Sequence, residues 1–589
     1  MSPEDGPSRE TLVAQIEALK ALAERQRLYI GSMRASHFWK LRDAFFAFRQ
    51  RFGNGIEPLP APTSADLADA AGAFGDPYQL FRIRERRSIA DLDWLRGFVR
   101  LLAFRDPIEV IVDARHARAG DLEATISSLE AQVYPYWRLQ VVADSSDVFE
   151  FDSAPSVCAL DAGDLLEPDA LLSLAIELND GADVVYTDED RLDAEGIPRD
   201  PSFKPGWSPE NALTRDYVGR LCAIRGSALR AAGGLDPAHG AAMWYDALLR
   251  VTESSDRVAH VARVLLHRRH GTPAMPLADA EAAVRRALDR RGEMADVRST
   301  PAGIDVRFAV PAGDRVTVIV PTRDRADLLE RCLQSIFDRT GHPNFDVLVV
   351  DNGSNEAATR ALFDRWRERL PNRFRVLEDP APFNYSRLNN RGVAETDAPY
   401  VVLLNNDTEV IAGEWMTAML GQARRAKIGA VGALLLYEDG TIQHGGVVLG
   451  GVLALAGHAY RFLDPKKLAG DERLLLDTNY LAVTGACLMV ARRKYEEAGG
   501  LDETLAVSYN DIDLCLKLRA AGYRNVMVPR ARLFHYESKS RGRDDTKRKI
   551  DLAVSESQAI RERWPEWARR DPYYNPNLTT TAEDFSLRG

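Results

Sequence analysis

Asp511 and Asp513 open the stretch "SYNDIDLCLKLRAAGY" (508–523), in which Ile512, Cys515 and Leu516 share one face at helical spacing and Gly522 is placed to end the helix. A carboxylate at a helix start has two roles open to it. It caps first-turn N–H groups, or it acts as a general base that takes a proton from a hydroxyl. The earlier stretch "AMWYDALLRV" sharpens the choice, because there Asp246 matches Asp513 while Trp244 stands in the place of Asp511. One copy of the pattern keeps a carboxylate that the other lacks.

Other candidate residues follow apolar, strand-like runs: "PTRD" at 321–324, "DNGS" at 351–354 and "NNDTE" at 405–409. In an open α/β sheet the ligand sits beyond the carboxyl ends of the strands, so these positions are where chemistry is expected. Neither GxGxxG after the first strand nor GxxxxGK[ST] anywhere is present, which removes the main support for a dinucleotide or P-loop site. Asp351 can accept from the N3–H of a pyrimidine, with Thr322 and Asp324 lining the same pocket; each is equally suited to a turn. Asp407, after "YVVLLNN", can reach a divalent cation bridging two phosphates, since Mg²⁺ and Mn²⁺ often take only one or two protein carboxylates. His535 ends another strand-like run before the basic "YESKSRGR" and is read either as part of that cation and diphosphate site or as a satisfied core histidine.

These side chains need a scaffold. The 589 residues exceed one core and suggest about three units. A hydrophobic fraction of 45% with 28% charged residues is that of an ordinary globular protein, and the net charge of −11 argues against general nucleic-acid binding. Five cysteines without CxxC spacing suggest neither a disulfide framework nor a zinc knuckle and fit a reducing, cytoplasmic setting. The acidic start has no apolar run behind it, and the longest apolar tract, 445–457, is too short to span a bilayer.

Residues 1–52 read as helical. Leu12, Ile16, Leu19, Ala23, Gln26 and Ile30 follow heptad spacing, so a short coiled coil and a homodimer through it are expected. The aromatic and basic mixture from Phe38 to Phe52 suits either a membrane-surface helix or a helix docked on the protein's own body. Residues 53–104 are a linker and helical connector. From about 105 short apolar strands alternate with amphipathic helices, the pattern of an α/β fold with a mostly parallel sheet, and the pattern runs twice. "VIVDARHARAGDLEATISSLE" parallels "VIVPTRDRADLLERCLQSIF", "AGGLD" occurs in both halves, Gly163 falls in the place of Asp407, and "RVLLH" ending at His267 parallels "RARLFH" ending at His535. The copies are placed at 105–275 and 314–545, joined by a helical connector at 276–313 and followed by a C-terminal helix and tail at 546–589.

The ordered set "VIVPTRDR", "VLVVDNGS", "FNYSRLNNRG", "LLNNDTEV", "IQHGGVVLG", "VTGACLMVARR", "GGLDETL", "YNDIDLCLKLRAAGY" and "FHYESKSRG" resembles the family-two glycosyltransferases of GT-A fold, in particular the rhamnosyltransferase-like enzymes of bacterial O-antigen and surface polysaccharide synthesis. The first copy, through "VVYTDEDRLD" and "DPSFKPGWSP", is similar to a GT-A-like domain often paired with such a module. The resemblance implies two tandem GT-A domains, with donor recognition by Thr322, Asp324, Asp351, Asn390 and Asn406, metal binding (Mg²⁺ or Mn²⁺) by Asp407 and His535, and Asp511 as the catalytic base. Asn405 departs from the acidic residue that opens the family's DxD element, and Asn510 stands where many relatives have Glu. The first copy, lacking the equivalents of Asp511 and Asp407, is expected to be inert in transfer.

The reading that follows is an inverting, metal-dependent glycosyltransferase at the inner face of the cytoplasmic membrane. It moves a sugar from a UDP-, dTDP- or GDP-linked donor to a lipid-linked oligosaccharide or polysaccharide acceptor. The alternatives are a bifunctional enzyme with both copies active, a non-catalytic glycan-binding scaffold, and a nucleotidyltransferase, for which "PTRDRADLL" lacks a Gly-rich basic loop.

Overall fold

The structure, a computed structural model, describes residues 76–144, 153–450, 455–468, 472–536 and 547–588. The coiled-coil and membrane-surface readings of residues 1–52, and the basic run after Tyr536, lie outside the described residues. Residues 76–589 form one compact unit.

The first sheet contains β1 (Ile108–Asp113), β2 (Trp137–Val142), β3 (Ser156–Asp161), β4 (Leu165–Leu166), β5 (Val184–Leu192), β6 (Ala223–Arg225) and β7 (Val258–Arg268), in the order β2-β1-β3-β6-β5-β7-β4, with a further strand, Pro198–Ser202, paired to β5 off this path. The second contains β8 (Val316–Thr322), β9 (Phe345–Asp351), β10 (Phe374–Glu378), β11 (Tyr400–Leu404), β12 (Thr408–Val410), β13 (Ile428–Leu436), β14 (Ile442–His444), β15 (Thr478–Tyr480), β16 (Cys487–Ala491) and β17 (Arg524–His535). Its order, β10-β9-β8-β11-β16-β13-β17-β12, repeats the first sheet's and adds β10 at one edge. The directions repeat as well: β8 is parallel to β9 and β11, β16 runs antiparallel to β11 and β13, and β13 is parallel to β17, matching the corresponding pairs of the first sheet. The internal repeat read from the sequence is therefore a repeat of topology.

The sequences of β8, β9 and β11 are near-continuous runs of Val, Leu and Ile because helices cover both faces of a parallel sheet. On one face Leu329, Cys332, Leu333 and Ile336 of the helix Ala326–Arg339 join Val318, Val347 and Val402 in a buried cluster. The connector between copies begins with α1 (Leu277–Arg291) and continues, contrary to an all-helical reading, as the hairpin Ala295–Thr300 and Gly303–Phe308. There Val297, Ile304 and Val306 alternate with more exposed residues, the period of a strand with one buried face.

Candidate active site

Thr322 and Asp351 end neighbouring strands and sit opposite one another in the β8–β9 register. Beyond them the chain turns with Asp324 and Arg325 both in the left-handed region, φ +56° and +57°. Ser354 ties this turn together. Its hydroxyl donates to Asp351 and accepts from the Asp324 N–H at 2.8 Å, while Asp324 Oδ1 accepts from the backbone of Asn355 and Glu356 at 2.7 and 2.9 Å. Asn406 Nδ2 donates to Thr322 Oγ1 at 2.9 Å, which joins the end of β11 to the same pocket.

Asp407 is buried and its Oδ1 lies 3.2 Å from Nε2 of His535. Thr408 and His535 are register partners across β12 and β17, so the pairing itself places the imidazole beside the carboxylate. His535 Nδ1 donates to Gln443 Oε1 of β14 at 2.6 Å, and Asn405 Nδ2 lies 3.2 Å from Nε2. Gln443 thus fixes the tautomer that turns the Nε2 lone pair toward Asp407, the arrangement by which an outer partner orients a metal-binding histidine. Among the described residues no group of three or more His, Cys, Asp or Glu side chains gathers as a metal cage. One carboxylate oxygen and one imidazole nitrogen fit a cation that completes its shell with water and diphosphate oxygens.

Asp511 lies in the first turn of α2 (Asn510–Ala520), whose N-cap is Tyr509 in the left-handed region with no side-chain capping bond. Asp511 is not the N-cap. One of its oxygens accepts from the next residue, Ile512 N, at 2.8 Å, and the other from Gly485 N at 2.7 Å. Enclosure by protein raises its pKa above the ordinary aspartate value, against the lowering effect of those N–H groups and of Thr484. The Gly485 carbonyl is itself held by the Tyr385 hydroxyl at 2.8 Å, and Ala486 O accepts from Asn405 N at 3.0 Å. A single short loop, 484–486, therefore connects Asp511 to the Asp407 and His535 pair.

Asn390 is not brought into this network. Its amide donates to Leu501 O and Glu503 Oε1 and accepts from Tyr495 OH and Leu501 N, so it pins the "GGLD" turn. The sequence reading also passed over Gln443, Tyr385 and Gly485, although all three lie inside quoted motifs. The signal for Gln443 was a polar pair, Gln443 and His444, between apolar runs.

In the first copy the corresponding place is filled from within. Leu165 pairs with His267, so Asp164 faces Arg268; with Gly163 at the place of Asp407, Arg268 rather than His267 occupies that of His535. The sequence parallel between the two histidines is thereby corrected. His267 is drawn instead to Asp190 and Glu167, at 2.6 and 3.1 Å. Arg220 and Arg268 neutralise Asp161 at 2.8 and 2.9 Å, and a Cβ on Gly163 would lie 2.1 Å from Cδ of Arg269. Trp244 borders only a cavity of about 10 Å³.

Residues 317–494 match the model of glycosyl transferase family 2. Over 558 residues the chain is 40% identical to the uncharacterized protein y4gI of Sinorhizobium fredii, covering 86% of this chain and 61% of that one. It is 34% identical over 538 residues to the O-antigen biosynthesis protein RfbC of Myxococcus xanthus, covering 83% and 42% respectively. A shorter match of 248 residues, 29% identical, is to the N-acetylglucosaminyl-diphospho-decaprenol L-rhamnosyltransferase of Mycobacterium tuberculosis and covers 39% of this chain and 79% of that one. The chain spans only 61% and 42% of the two relatives matched over most of its length. The sheet order, the strand-end residues and the matched segment agree, and residues 317–494 of this chain are similar to glycosyl transferase family 2.

Proposed function

We propose that the second domain is an inverting, divalent-metal-dependent glycosyltransferase that moves a sugar of the rhamnose type from a nucleotide-linked donor to a lipid-linked or polysaccharide acceptor. The observation that carries this reading is the Asp511 carboxylate, which is free of the N-cap role, oriented by the Gly485 N–H at 2.7 Å and raised in pKa by its enclosure. A base of that kind is suited to take the acceptor hydroxyl proton as the oxygen attacks the anomeric carbon. The new C–O bond forms on the face opposite the breaking bond to the diphosphate, which leaves with the electron pair, so the configuration inverts. Asp407 and His535 would hold the cation, whose chemistry is to neutralise charge developing on the departing diphosphate. Thr322, Asp324, Asp351 and Asn406 receive the nucleotide. The decaprenol-linked and O-antigen names of the relatives favour a lipid-linked glycan acceptor at a membrane face. A bifunctional enzyme is disfavoured by Arg220 and Arg268, which pair with Asp161, by Arg269, which crowds Gly163, and by the small cavity that Trp244 borders in the first copy.

The test is nucleotide release by the purified chain from UDP-, dTDP- and GDP-sugars, with and without Mn²⁺ or Mg²⁺ and an acceptor. Cation-dependent release from one donor class is expected. Release that ignores the cation, or none with any donor, overturns the reading.

A further inference from the structure

Phe462 presents a large apolar ring to solvent from a backbone conformation that resists it. The residue is 63% exposed, and its φ of +65° lies in the left-handed region that disfavours any side chain with a Cβ, at a cost of roughly 1–2 kcal/mol. Glycine would fill the turn without strain. Packing does not account for the choice, since a residue exposed to this degree stabilises little by burial. A strained, exposed aromatic is the kind of outlier from which a binding role is argued.

The ring is held rigidly. Tyr437 stacks on it with centroids 5.2 Å apart and planes within 4°. Arg461 Nε donates to the Tyr437 hydroxyl at 2.9 Å, and its guanidinium carbon lies 4.8 Å from the Phe462 centroid. The position is fixed relative to the site as well. Phe462 N donates to Ile442 O at 2.7 Å, Ile442 is paired with Leu436 of β13, and the next residue, Gln443, holds His535. The platform therefore lies three strand spacings, about 14 Å, from β17.

We propose that the Phe462 ring, braced by Tyr437 and Arg461, is a subsite for a sugar ring of the acceptor glycan, one beyond the sugar whose hydroxyl reacts. This rests on the glycosyltransferase reading above. The less polar C–H face of a pyranose lies against the electron-rich face of an aromatic ring, while the guanidinium and the tyrosine hydroxyl meet the hydroxyls at its edge. A neutral glycan is the occupant these groups fit best: the platform carries one cation already engaged with a phenol, and a single aromatic pair has too little apolar area to anchor a chain to lipid.

The experiment uses the full chain and saturation-transfer NMR with methyl α-rhamnoside, methyl β-galactoside and methyl β-N-acetylglucosaminide as probes. The parent is expected to transfer saturation to the ring C–H protons of at least one glycoside. Phe462→Gly should weaken that binding about tenfold, the upper end of what an aromatic contact supplies, and Tyr437→Ala should weaken it to a lesser degree. Phe462→Gly should melt no lower than the parent, because glycine takes the turn freely. No saturation transfer in the parent, or equal transfer in parent and Phe462→Gly, overturns the proposal. So does loss of sedimentation with anionic phospholipid vesicles while glycoside binding stays intact, which would make the ring a membrane contact. Calorimetry with UDP, dTDP and GDP on the same preparations separates the two readings: if the nucleotides fail to bind, the transferase reading falls, whereas glycoside binding tests the platform by itself.

Discussion

Asp513 grips Arg563 at 2.8 Å in the second copy, and the first copy makes the same joint between Asp246 and Arg286 at 3.0 Å. Both aspartates are fully buried, and each fastens its domain to the helix that follows: α1 after the first copy and α3 (Lys547–Arg563) after the second. Asp513 also accepts from Trp564 Nε1 at 3.0 Å and pairs with Lys517 at 2.9 Å. The shared aspartate is thus a latch, and the one present in a single copy, Asp511, is the candidate base.

Asp513→Ala is therefore expected to destabilise the chain by about 2–4 kcal/mol, through buried donors left without their acceptor. Asp511→Asn should reduce glycosyl transfer by two to four orders of magnitude while donor affinity stays nearly unchanged. Urea unfolding beside transfer rates on the same preparations checks the pair. Transfer within about threefold of the parent for Asp511→Asn, far less than loss of a general base costs, would return Asp511 to a structural role.

The rate should also respond to pH through Asp511. Only the carboxylate accepts a proton, and enclosure holds its pKa above the ordinary value of about 3.9. The acid limb of kcat is expected above that value, with activity falling as pH drops through it. Raised in the folded state, the same group makes folding stability fall as pH rises from the unfolded to the folded pKa, because the native state binds the proton more tightly. An acid limb at or below the ordinary value would count against Asp511.

Asp407→Ala should abolish the part of donor affinity that depends on Mn²⁺ or Mg²⁺, whereas Asp161→Ala in the first copy should leave donor affinity and transfer largely unchanged. The asymmetry follows from the arginines already bound to Asp161. Titration calorimetry with and without the cation measures it. Equal loss in both variants would restore the bifunctional enzyme.

Glu210 is the buried ionic hinge between the copies. It pairs with Arg524 at 2.7 Å and Arg425 at 3.2 Å and accepts from Asn479 at 2.6 Å. Burial alone would raise its pKa, but the arginines and Asn479 outweigh it and bring the value down to about 2. With the folded pKa depressed, its stabilisation is present above the unfolded value of about 4.3 and is lost as pH falls toward 2. Glu210→Gln should cost about 3 kcal/mol at pH 7, and the gap to the parent should close in acid. Urea unfolding at the two pH values reads the difference.

The sheets were legible because β8, β9 and β11 are near-continuous apolar runs ending in or followed by polar residues, and that pattern also marks Thr322, Asp351 and Asp407. The hairpin after α1 was less so, because its charged outer face masks a short alternation. The pairing of His267 with His535 failed for a different reason. The last long strand of each copy shifts register at different places, between Thr187 and Glu189 opposite β7 and between Ala433 and Leu434 opposite β17, and such bulges leave no mark in composition. Asn390 sits in the motif "FNYSRLNNRG", yet its amide is spent on a turn more than a hundred residues away, a partner that local sequence cannot name.

The C-terminal tail sets a timetable for synthesis. Asp188, fully buried in the first copy, receives Asn575 Nδ2 at 2.8 Å from 387 residues further along the chain, and Asn575 also donates to Lys204 O. At ordinary translation speeds that stretch takes on the order of 20–80 s to emerge, so the first copy carries an unfinished polar pocket for that whole interval. A nascent chain stalled before Asn575 would have both domains formed and joined through Glu210 but the Asp188 pocket still open, the species on which chaperones and proteases act.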